Sequence, residues 1–233
     1  MEGVPELAVI IPTLDEERTI EDCLESVGNA SEVEVIVSDG GSTDATTELA
    51  AVRGARVITG PPGRGPQLNR GARATRAANL LFLHADCRLP EGWVAEVLAA
   101  LASPETTLTC FRLHTDPAGG GDCSRLRRAW LRLLDLRSRG IGLPYGDQAF
   151  SVRRGVFERI GGFPEIPLME DLVFAQTCRR LGHVHRLRSA VTTSARRFQR
   201  HPVRSRLMTA TFPVLFRLGV SPDRLARLYG NVR

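Results

Sequence analysis

The sequence contains no lysine, so all 31 positions counted as lysine or arginine are arginine. This absence excludes the phosphate-binding P-loop GxxxxGK[ST], because that motif requires a lysine. Aromatic residues make up only 6% of the chain, and no nucleic-acid-binding motif is present. We therefore predict that nucleic acid is not a partner.

Long apolar stretches are also missing. No window approaches 18 uninterrupted apolar residues, so no transmembrane helix is predicted. The first residues, MEGVPELAVIIPTLDEE, have neither the basic start nor the long apolar run of a signal peptide. The five cysteines form no CxxC pair and are interpreted as reduced thiols, which favours a cytoplasmic location; they are Cys23, Cys87, Cys110, Cys123 and Cys178.

The charge that is present is unevenly distributed along the 233 residues. Residues 1–120 carry 18 acids against 9 arginines, whereas residues 121–233 carry 22 arginines against 8 acids. Hydrophobic residues make up 42% and charged residues 24%, which is typical of a globular protein. An acidic half followed by a basic half indicates a site that holds an anion.

Short apolar runs alternate with helical patterns in the first half. This alternation predicts an α/β fold with a mainly parallel central sheet flanked by helices. Ligands of such sheets bind at the carboxyl ends of the strands. The predicted strands are residues 7–11, 33–37, 55–58 and 80–83, and the residues that follow their ends include Pro12, Thr13, Asp39, His84, Ala85 and Asp86.

The second half has a different rhythm. We predict strands at 107–114 and 185–194, an arginine-rich amphipathic helix at 122–139, and two short C-terminal helices. No internal repeat or long linker is present. The expectation is a single domain, 1–233, in which residues 105–233 complete a site begun by residues 1–104.

Asp39 follows the second strand and precedes two glycines. An acid at this place is a natural acceptor for a nucleotide base or ribose. The alternative is that Asp39 caps the next helix, although Ser42 and Asp44 are better placed for capping. A dinucleotide-binding site is disfavoured because the first strand–helix turn, PTLDEE, has no GxGxxG.

His84-Ala85-Asp86 ends an apolar strand, where an unpaired acid would be costly. Hard cations such as Mg²⁺ or Mn²⁺ bind carboxylate and phosphate oxygens together, so Asp86 is a candidate metal ligand and His84 a possible one. The alternative for His84 is a core histidine with a satisfied hydrogen bond.

Glu170-Asp171 begins a predicted helix within GGFPEIPLMED. A favourable charge at a helix start explains two acids there, but a positioned carboxylate is also a competent general base. Arg64 and Arg196 (with Arg197) are candidate phosphate contacts. Arg153-Arg154, by contrast, is interpreted as a solvated helix start.

Six stretches in this order resemble the family 2 glycosyltransferases of the GT-A (Rossmann-like) fold: IIPTLDEERTIEDCLESV, VIVSDGGSTDAT, GRGPQLNRGA, LLFLHADCRLP, SVRRGVFERIGGF and LMEDLVF. The resemblance extends from about residue 7 to 185. Further stretches, such as YGDQAFSVRR and GVSPDRLARLYG, resemble a small bacterial subgroup associated with radical-SAM and selenium-related genes.

This resemblance implies a role for each matching residue. The first nucleotide-binding segment corresponds to Pro12, Thr13, Leu14 and Glu16, and the base-contacting acid to Asp39. Arg64 and Asn69 match the basic residue and asparagine after the third strand. Asp86 matches the last acid of the DxD motif, with Ala85 beside it, whereas His84 replaces the first acid. Asp171 matches the catalytic base, and Glu170 its supporting or acceptor-binding neighbour.

The implied reaction is an inverting transfer from a nucleotide sugar, expected to be a UDP-sugar, with Mn²⁺ or Mg²⁺ as cofactor. Neither the acceptor nor the oligomeric state follows from the sequence. One alternative is a nucleotidyltransferase that makes a sugar nucleotide. Another is a non-catalytic binding module for a sugar nucleotide or a membrane surface, at most peripheral at the inner membrane face, motivated by His84 and by the helix at 122–139.

Overall fold

The structure, a computed structural model, describes residues 4–116, 135–136, 138, 142–194 and 211–229. Arg196 and Cys123 lie outside these ranges, as does most of the predicted helix at 122–139. Within the described ranges, no helix has both the length and the apolar character needed to cross a bilayer.

One eight-stranded sheet combines strands from both halves of the sequence. Its order is β3-β2-β1-β4-β7-β6-β8-β5. Four of the seven strand pairs are parallel, and the antiparallel pairs are β4–β7, β7–β6 and β8–β5. The strands are β1 Leu7–Thr13, β2 Val33–Asp39, β3 Arg56–Thr59, β4 Asn79–Phe82, β5 Cys87–Arg88, β6 Thr106–Asp116, β7 Phe150–Arg153 and β8 His183–Ser194. The predicted mainly parallel α/β sheet is confirmed.

Helices pack on both faces of this sheet. They are α1 Ile20–Val27, α2 Thr46–Val52, α3 Arg64–Arg73, α4 Trp93–Leu101, α5 Arg154–Arg159, α6 Glu170–Leu181 and α7 Pro222–Tyr229, with a 3₁₀ turn at Gly146–Gln148 and helical residues at 211–217.

Two helix starts differ from the prediction. The stretch GPPGRGP at 60–66 predicts a loop, but helix α3 begins inside it, at Arg64. The sequence predicts Ser42 or Thr43 as the N-cap of helix α2, but the helix begins at Thr46, and the Asp44 carboxylate accepts a hydrogen bond from the Thr46 backbone N–H. Ser42 is instead bonded to Asp39, as described below.

The core lies on both sides of β1. Leu7, Val9 and Ile11 join one buried cluster, whereas Ala8 and Ile10 join the other. Successive side chains of a strand point to opposite faces, so the uninterrupted apolar run LAVII fits a strand covered on both sides.

An aromatic cluster supports the segment that precedes α6. Phe163 stacks on Phe174 with ring centroids 4.0 Å apart and meets Phe82 edge-on at 4.8 Å. Pairs of this kind contribute about 0.5–1.5 kcal/mol each beyond the area they bury. The cluster therefore fixes the chain between α5 and α6 against the end of β4.

The interpretation of Arg153-Arg154 as a solvated helix start is wrong. The Arg153 Nη1 donates to the carbonyls of Leu101 and Ser103, at 2.6 and 2.7 Å. The Arg154 Nε donates to the Ala77 carbonyl at 2.7 Å. A guanidinium carries several donors in a fixed fork, so it can satisfy carbonyls that helix ends and turns leave unpaired.

The four described cysteines are buried and free: Cys23, Cys87, Cys110 and Cys178. Burial raises the pKa of Cys110 and of Cys178 to about 12. Because the thiolate is the nucleophile and metal ligand, these side chains act as apolar packing groups at neutral pH.

Candidate functional site

The carboxyl ends of β1 and β2 form one wall of the candidate site. Thr13 is the register partner of Asp39 in the parallel pair. The Thr13 hydroxyl donates to Asp39 Oδ1 at 2.9 Å, and Pro12 is half-buried beside it. The predicted neighbours at the strand ends are therefore brought into contact.

The Asp39 carboxylate organises the turn after β2. It accepts hydrogen bonds from the backbone N–H groups of Gly41 and Ser42, at 2.8 and 2.9 Å, and from the hydroxyls of Thr13 and Ser42. Burial opposes ionisation, but the bonds from Ser42, Gly41 and Thr13 lower the pKa of Asp39 below its ordinary value. The four donors match the acceptor capacity of a carboxylate.

A second set of contacts ties the turn after β1 to the turn after β2. Asp15, in a left-handed conformation with φ 54°, accepts from the Thr43 backbone N–H, and its own N–H donates to the Ser42 hydroxyl. The Glu16 backbone N–H donates to Thr46 Oγ1 at 2.8 Å. Leu14 and Glu16 are half-buried in this joint turn. In the sequence these turns are visible as the polar runs LDEE and GGSTDAT, but their spacing does not predict that the two runs contact each other.

Helix α3 links this wall to the segment that leads into α6. The Gln67 side chain donates to the carbonyls of Thr13 and Ser38, at 2.7 and 2.8 Å. The Arg70 guanidinium donates to the Asp39 carbonyl at 2.7 Å. Gln67 and Arg70 were missed as site residues because nothing local marks them.

Asn69 makes contacts within the protein on the other face of α3. Its amide donates to the Phe163 carbonyl and accepts from the Phe163 N–H, each at 2.8 Å. Asn69 is buried. Its side chain thus fastens α3 to the segment that leads into α6, which gives it a structural role beside the predicted nucleotide contact.

The His84-Ala85-Asp86 turn follows β4. Ala85 is buried, His84 and Asp86 are half-buried, and the Cys87 N–H closes the turn on the His84 carbonyl at 3.0 Å. Residues Cys87 and Arg88 then pair with Thr193 and Thr192 of β8. The turn is therefore held between two strands of the sheet.

Asp171 lies close to this turn, in the first helical turn of α6. Its Oδ2 accepts from the Gly146 N–H at 2.8 Å, and its Oδ1 accepts from the Leu172 N–H at 2.7 Å. A Cβ built on Gly146 would lie 3.0 Å from His84 Nε2 and 3.3 Å from Asp171 Oδ2. His84 and Asp171 therefore share the space in front of Gly146.

Glu170, the first residue of α6, is buried and faces α3. Its Oε1 lies 2.9 Å from Nη1 of Arg64, which is the first residue of that helix. Burial raises the pKa of Glu170 above its ordinary value; Arg64 opposes this shift and the neighbouring Asp171 adds to it. Arg64 was predicted to contact phosphate and Glu170 to support the base or bind the acceptor, but the two side chains form one ion pair.

The side chains at this site could hold a divalent cation only together with oxygen atoms of a bound phosphate ligand. Within the described ranges, no three His, Cys, Asp or Glu side chains form a group that could hold a metal. Asp86 is partly accessible at the carboxyl end of β4. One carboxylate together with diphosphate oxygens is a chemically reasonable shell for Mg²⁺ or Mn²⁺.

The sequence profile of Glycosyl transferase family 2 matches residues 8–161, which contain both turns of the first wall, α3 and the His84–Asp86 turn. The chain belongs to glycosyl transferase family 2.

Curated relatives of this family 2 member come from mycobacteria. A glucosyl-3-phosphoglycerate synthase from Mycolicibacterium paratuberculosis is 31% identical over 133 residues, covering 49% of this chain and 40% of that protein. A PGL/p-HBAD biosynthesis glycosyltransferase from Mycobacterium bovis is 34% identical over 110 residues, covering 43% and 42%. The chain thus spans less than half the length of these two relatives.

Solved structures share the GT-A fold. A mannosyltransferase from Pyrobaculum calidifontis, in complex with GDP-Man and Mn²⁺, superposes with a TM-score of 0.68 at 18% identity, covering 99% of this chain and 70% of that one. Glucosyl-3-phosphoglycerate synthase from Mycobacterium tuberculosis, in complex with Mn²⁺, UDP and glucosyl-3-phosphoglycerate, gives a TM-score of 0.55 at 25% identity, covering 82% and 70%. The predicted fold and family are confirmed.

Among the residues that join the family 2 site, Gly146 and Gln148 were not selected from the sequence. Gln148 holds the 3₁₀ turn by donating to the Phe111 carbonyl at 2.8 Å, and Gly146 provides the N–H that orients Asp171. The sequence predicts a strand from Gly146 to Val152, but the structure forms a 3₁₀ turn at Gly146–Gln148 and begins β7 only at Phe150. The contact of Gly146 with Asp171 joins residues 25 positions apart, which no local pattern indicates.

Proposed function

We propose that this family 2 member is an inverting glycosyltransferase. It moves a sugar from a nucleoside-diphosphate sugar, with UDP as the expected nucleotide, to an acceptor hydroxyl. The observation that carries this proposal is the setting of Asp171. Two backbone N–H groups orient its carboxylate where the start of α6 meets the His84–Asp86 turn.

Asp171 is the general base of the proposed reaction. Its side chain is partly accessible, so an acceptor hydroxyl can approach while the carboxylate stays oriented. The acceptor oxygen forms a bond to the anomeric carbon, the bond from that carbon to the diphosphate oxygen breaks, and Asp171 takes the hydroxyl proton. Attack from the face opposite the leaving group inverts the anomeric configuration.

Residues 1–104 are proposed to hold the donor, and residues 105–233 the acceptor. Thr13 and Asp39, with Pro12, Leu14 and Glu16 beside them, line the nucleotide end, and Ala85 lies at the sugar end. Arg64 and Arg196 are the proposed diphosphate contacts, because guanidinium groups bind phosphate oxygens in pairs. UDP is favoured because the 25% identical synthase was solved with UDP.

Asp86 is the proposed protein ligand of Mn²⁺ or Mg²⁺, with His84 near enough to the reacting end to be a second contact. When bound, the cation would help to neutralise the diphosphate leaving group. The Mn²⁺ present in two solved neighbours supports this choice. Membership of the radical-SAM and selenium-associated subgroup, and a cytoplasmic location, stay predictions from the sequence.

The Asp171→Asn variant tests the proposed base. An amide keeps the size of the side chain but cannot take a proton, so we expect transfer to fall by about 10²–10⁴-fold while UDP binding in the presence of Mn²⁺ is retained. Transfer is measured with a panel of UDP- and GDP-sugars, and binding by calorimetry. Asp223→Asn, at the exposed start of α7, is the matched control.

Wild-type turnover by Asp171→Asn would contradict the assignment of the base. Product analysis tests the reaction class, because a glycosyltransferase releases a nucleoside diphosphate whereas a nucleotidyltransferase releases pyrophosphate. Binding of nucleotide sugars without release of nucleoside diphosphate, for every donor and acceptor tried, would favour the non-catalytic binding module instead.

A further inference from the structure

The Arg64–Glu170 pair connects the first residues of two helices that belong to opposite halves of the sequence. Its two members differ sharply in environment. The Glu170 side chain is 2% exposed, whereas the Arg64 side chain is 38% exposed. The carboxylate is thus a fixed internal group, and the guanidinium extends from it towards solvent.

Stability alone does not explain this buried acid. Burial of a carboxylate is costly, and a buried ion pair is often no more stabilising than apolar residues of similar volume. The joint between α3 and the segment before α6 also has other contacts. Asn69 bonds the Phe163 backbone twice, and a Cβ on Gly65 would lie only 2.5 Å from the Pro164 carbonyl, so the chains are already closely packed.

The difference in exposure between Glu170 and Arg64 indicates which of the two side chains fixes the position of the other. A long arginine side chain loses rotamer freedom when it is held in one geometry, and a fixed buried carboxylate can impose that geometry before a ligand arrives. Glu170 is rigid because it is enclosed at the start of α6. Arg64 is the partner that solvent, and therefore a ligand, can reach.

We propose that Glu170 is a positioning residue for Arg64: it holds the guanidinium at the cleft, ready for the diphosphate of the nucleotide sugar. This inference rests on the proposed function, because the ligand is the donor of that reaction. The family resemblance implied a supporting or acceptor-binding role for Glu170, and the proposal differs from both because the group supported is Arg64. It also connects the helix of the general base to the donor half.

A double-mutant cycle on UDP and uridine binding tests the proposal. Arg64→Met should weaken UDP about tenfold to a hundredfold, through loss of a charge-assisted contact. Glu170→Gln should weaken UDP roughly two- to tenfold, because the guanidinium must then be ordered by the ligand. In the Arg64→Met background, Glu170→Gln should have no further effect, and uridine affinity should stay unchanged throughout.

Calorimetry with Mn²⁺ at constant concentration gives the affinities, and a thermal melt of each variant checks folding. Glu170→Met, of similar volume, replaces Glu170→Gln if the latter does not fold. Matched controls are Arg73→Met, an exposed arginine of α3, and Glu158→Gln, which removes an exposed acid that pairs with the half-buried Arg154. Both should bind UDP as the wild type does.

Three results would overturn the positioning role: unchanged UDP affinity in Glu170→Gln, losses that add in the double mutant, or an equal loss of uridine affinity. The failure of the proposed function looks different: the wild-type chain would then bind neither UDP nor GDP in the same titration, or would bind nucleotide sugars without releasing a nucleoside diphosphate.

Discussion

At the scale of the residue, Asp39 shows how one side chain serves both fold and site. Its carboxylate joins the end of β1, through Thr13, to the turn after β2, through Gly41 and Ser42. A nucleotide base that bonds this carboxylate must either share an oxygen with these donors or displace a hydroxyl. Asp39 therefore fixes the shape of the proposed nucleotide-binding end of the site before any ligand binds.

Asp39→Asn should destabilise the protein at neutral pH by about 2–4 kcal/mol, because the amide cannot accept all four bonds. The folded pKa is lowered, so the stabilisation by the carboxylate is present above pH ~4 and is lost as the pH falls below it. Urea unfolding from pH 7 to pH 3 should show the two proteins converging. Asp22→Asn on α1 is the control, and a constant difference down to pH 3 would contradict the argument.

At the scale of the element, the 3₁₀ turn Gly146–Gln148 orients Asp171, the proposed base. The Gln148 side chain fixes the turn to β6 by donating to the Phe111 carbonyl, and the Gly146 N–H donates to the Asp171 carboxylate. Because Gly146 faces both His84 and Asp171, a side chain there would fill the space proposed for the acceptor hydroxyl.

Gly146→Ala should lower kcat by about 10–100-fold and leave UDP affinity unchanged, since a Cβ would lie 3.2 Å from the Asp171 Cβ and shift the carboxylate. Steady-state kinetics and calorimetry measure the two effects. Gly155→Ala in α5, where a Cβ meets nothing within 4 Å, is the matched control. A fall in UDP affinity of the same size as the fall in kcat would show that Gly146 does not act through Asp171 alone.

The polar residues at strand ends and helix starts could be predicted from the sequence, whereas contacts between residues far apart in the sequence could not. The ends of β1, β2 and β4, with Asp39 and Asp86, were predictable because apolar runs end in polar residues there, and Asp171 was singled out by its place at a helix start within GGFPEIPLMED. The contacts Arg64–Glu170 and Asn69–Phe163 join residues 106 and 94 positions apart, so only the folded chain reveals them. Arg153 and Arg154 were misjudged because a charged pair at a helix start says nothing about nearby unpaired carbonyls.

At the scale of the whole molecule, the excess of arginine in residues 121–233 is explained in part by bonds that hold the fold together. Several described arginines of the basic half bond backbone carbonyls: Arg153 and Arg154 at the end of β7, and Arg186 on Ser138. The excess of arginine therefore does not translate directly into a positive cleft. Within the described ranges, Arg64, which comes from the acidic half, is the candidate diphosphate contact.

Because strands of both halves share one sheet, we expect a single cooperative unfolding transition. Trp93 is buried in a core cluster that contains residues of both halves, so its fluorescence reports on their packing against each other, and far-UV circular dichroism reports on all elements. In a Trp130→Phe background, which leaves Trp93 as the fluorophore, the two urea curves should coincide. Separated midpoints would indicate two independently folding units and contradict the single-domain prediction.

The position of β7 between β4 and β6 has a consequence for synthesis. As the chain leaves the ribosome, β1 to β4 can pair in parallel, but the outer edge of Asn79–Phe82 has no partner until Phe150–Arg153 has been made. An apolar strand with an open edge is a template for pairing with another chain. The nascent protein therefore passes through an interval in which the open edge of β4 is available to chaperones or to aggregation.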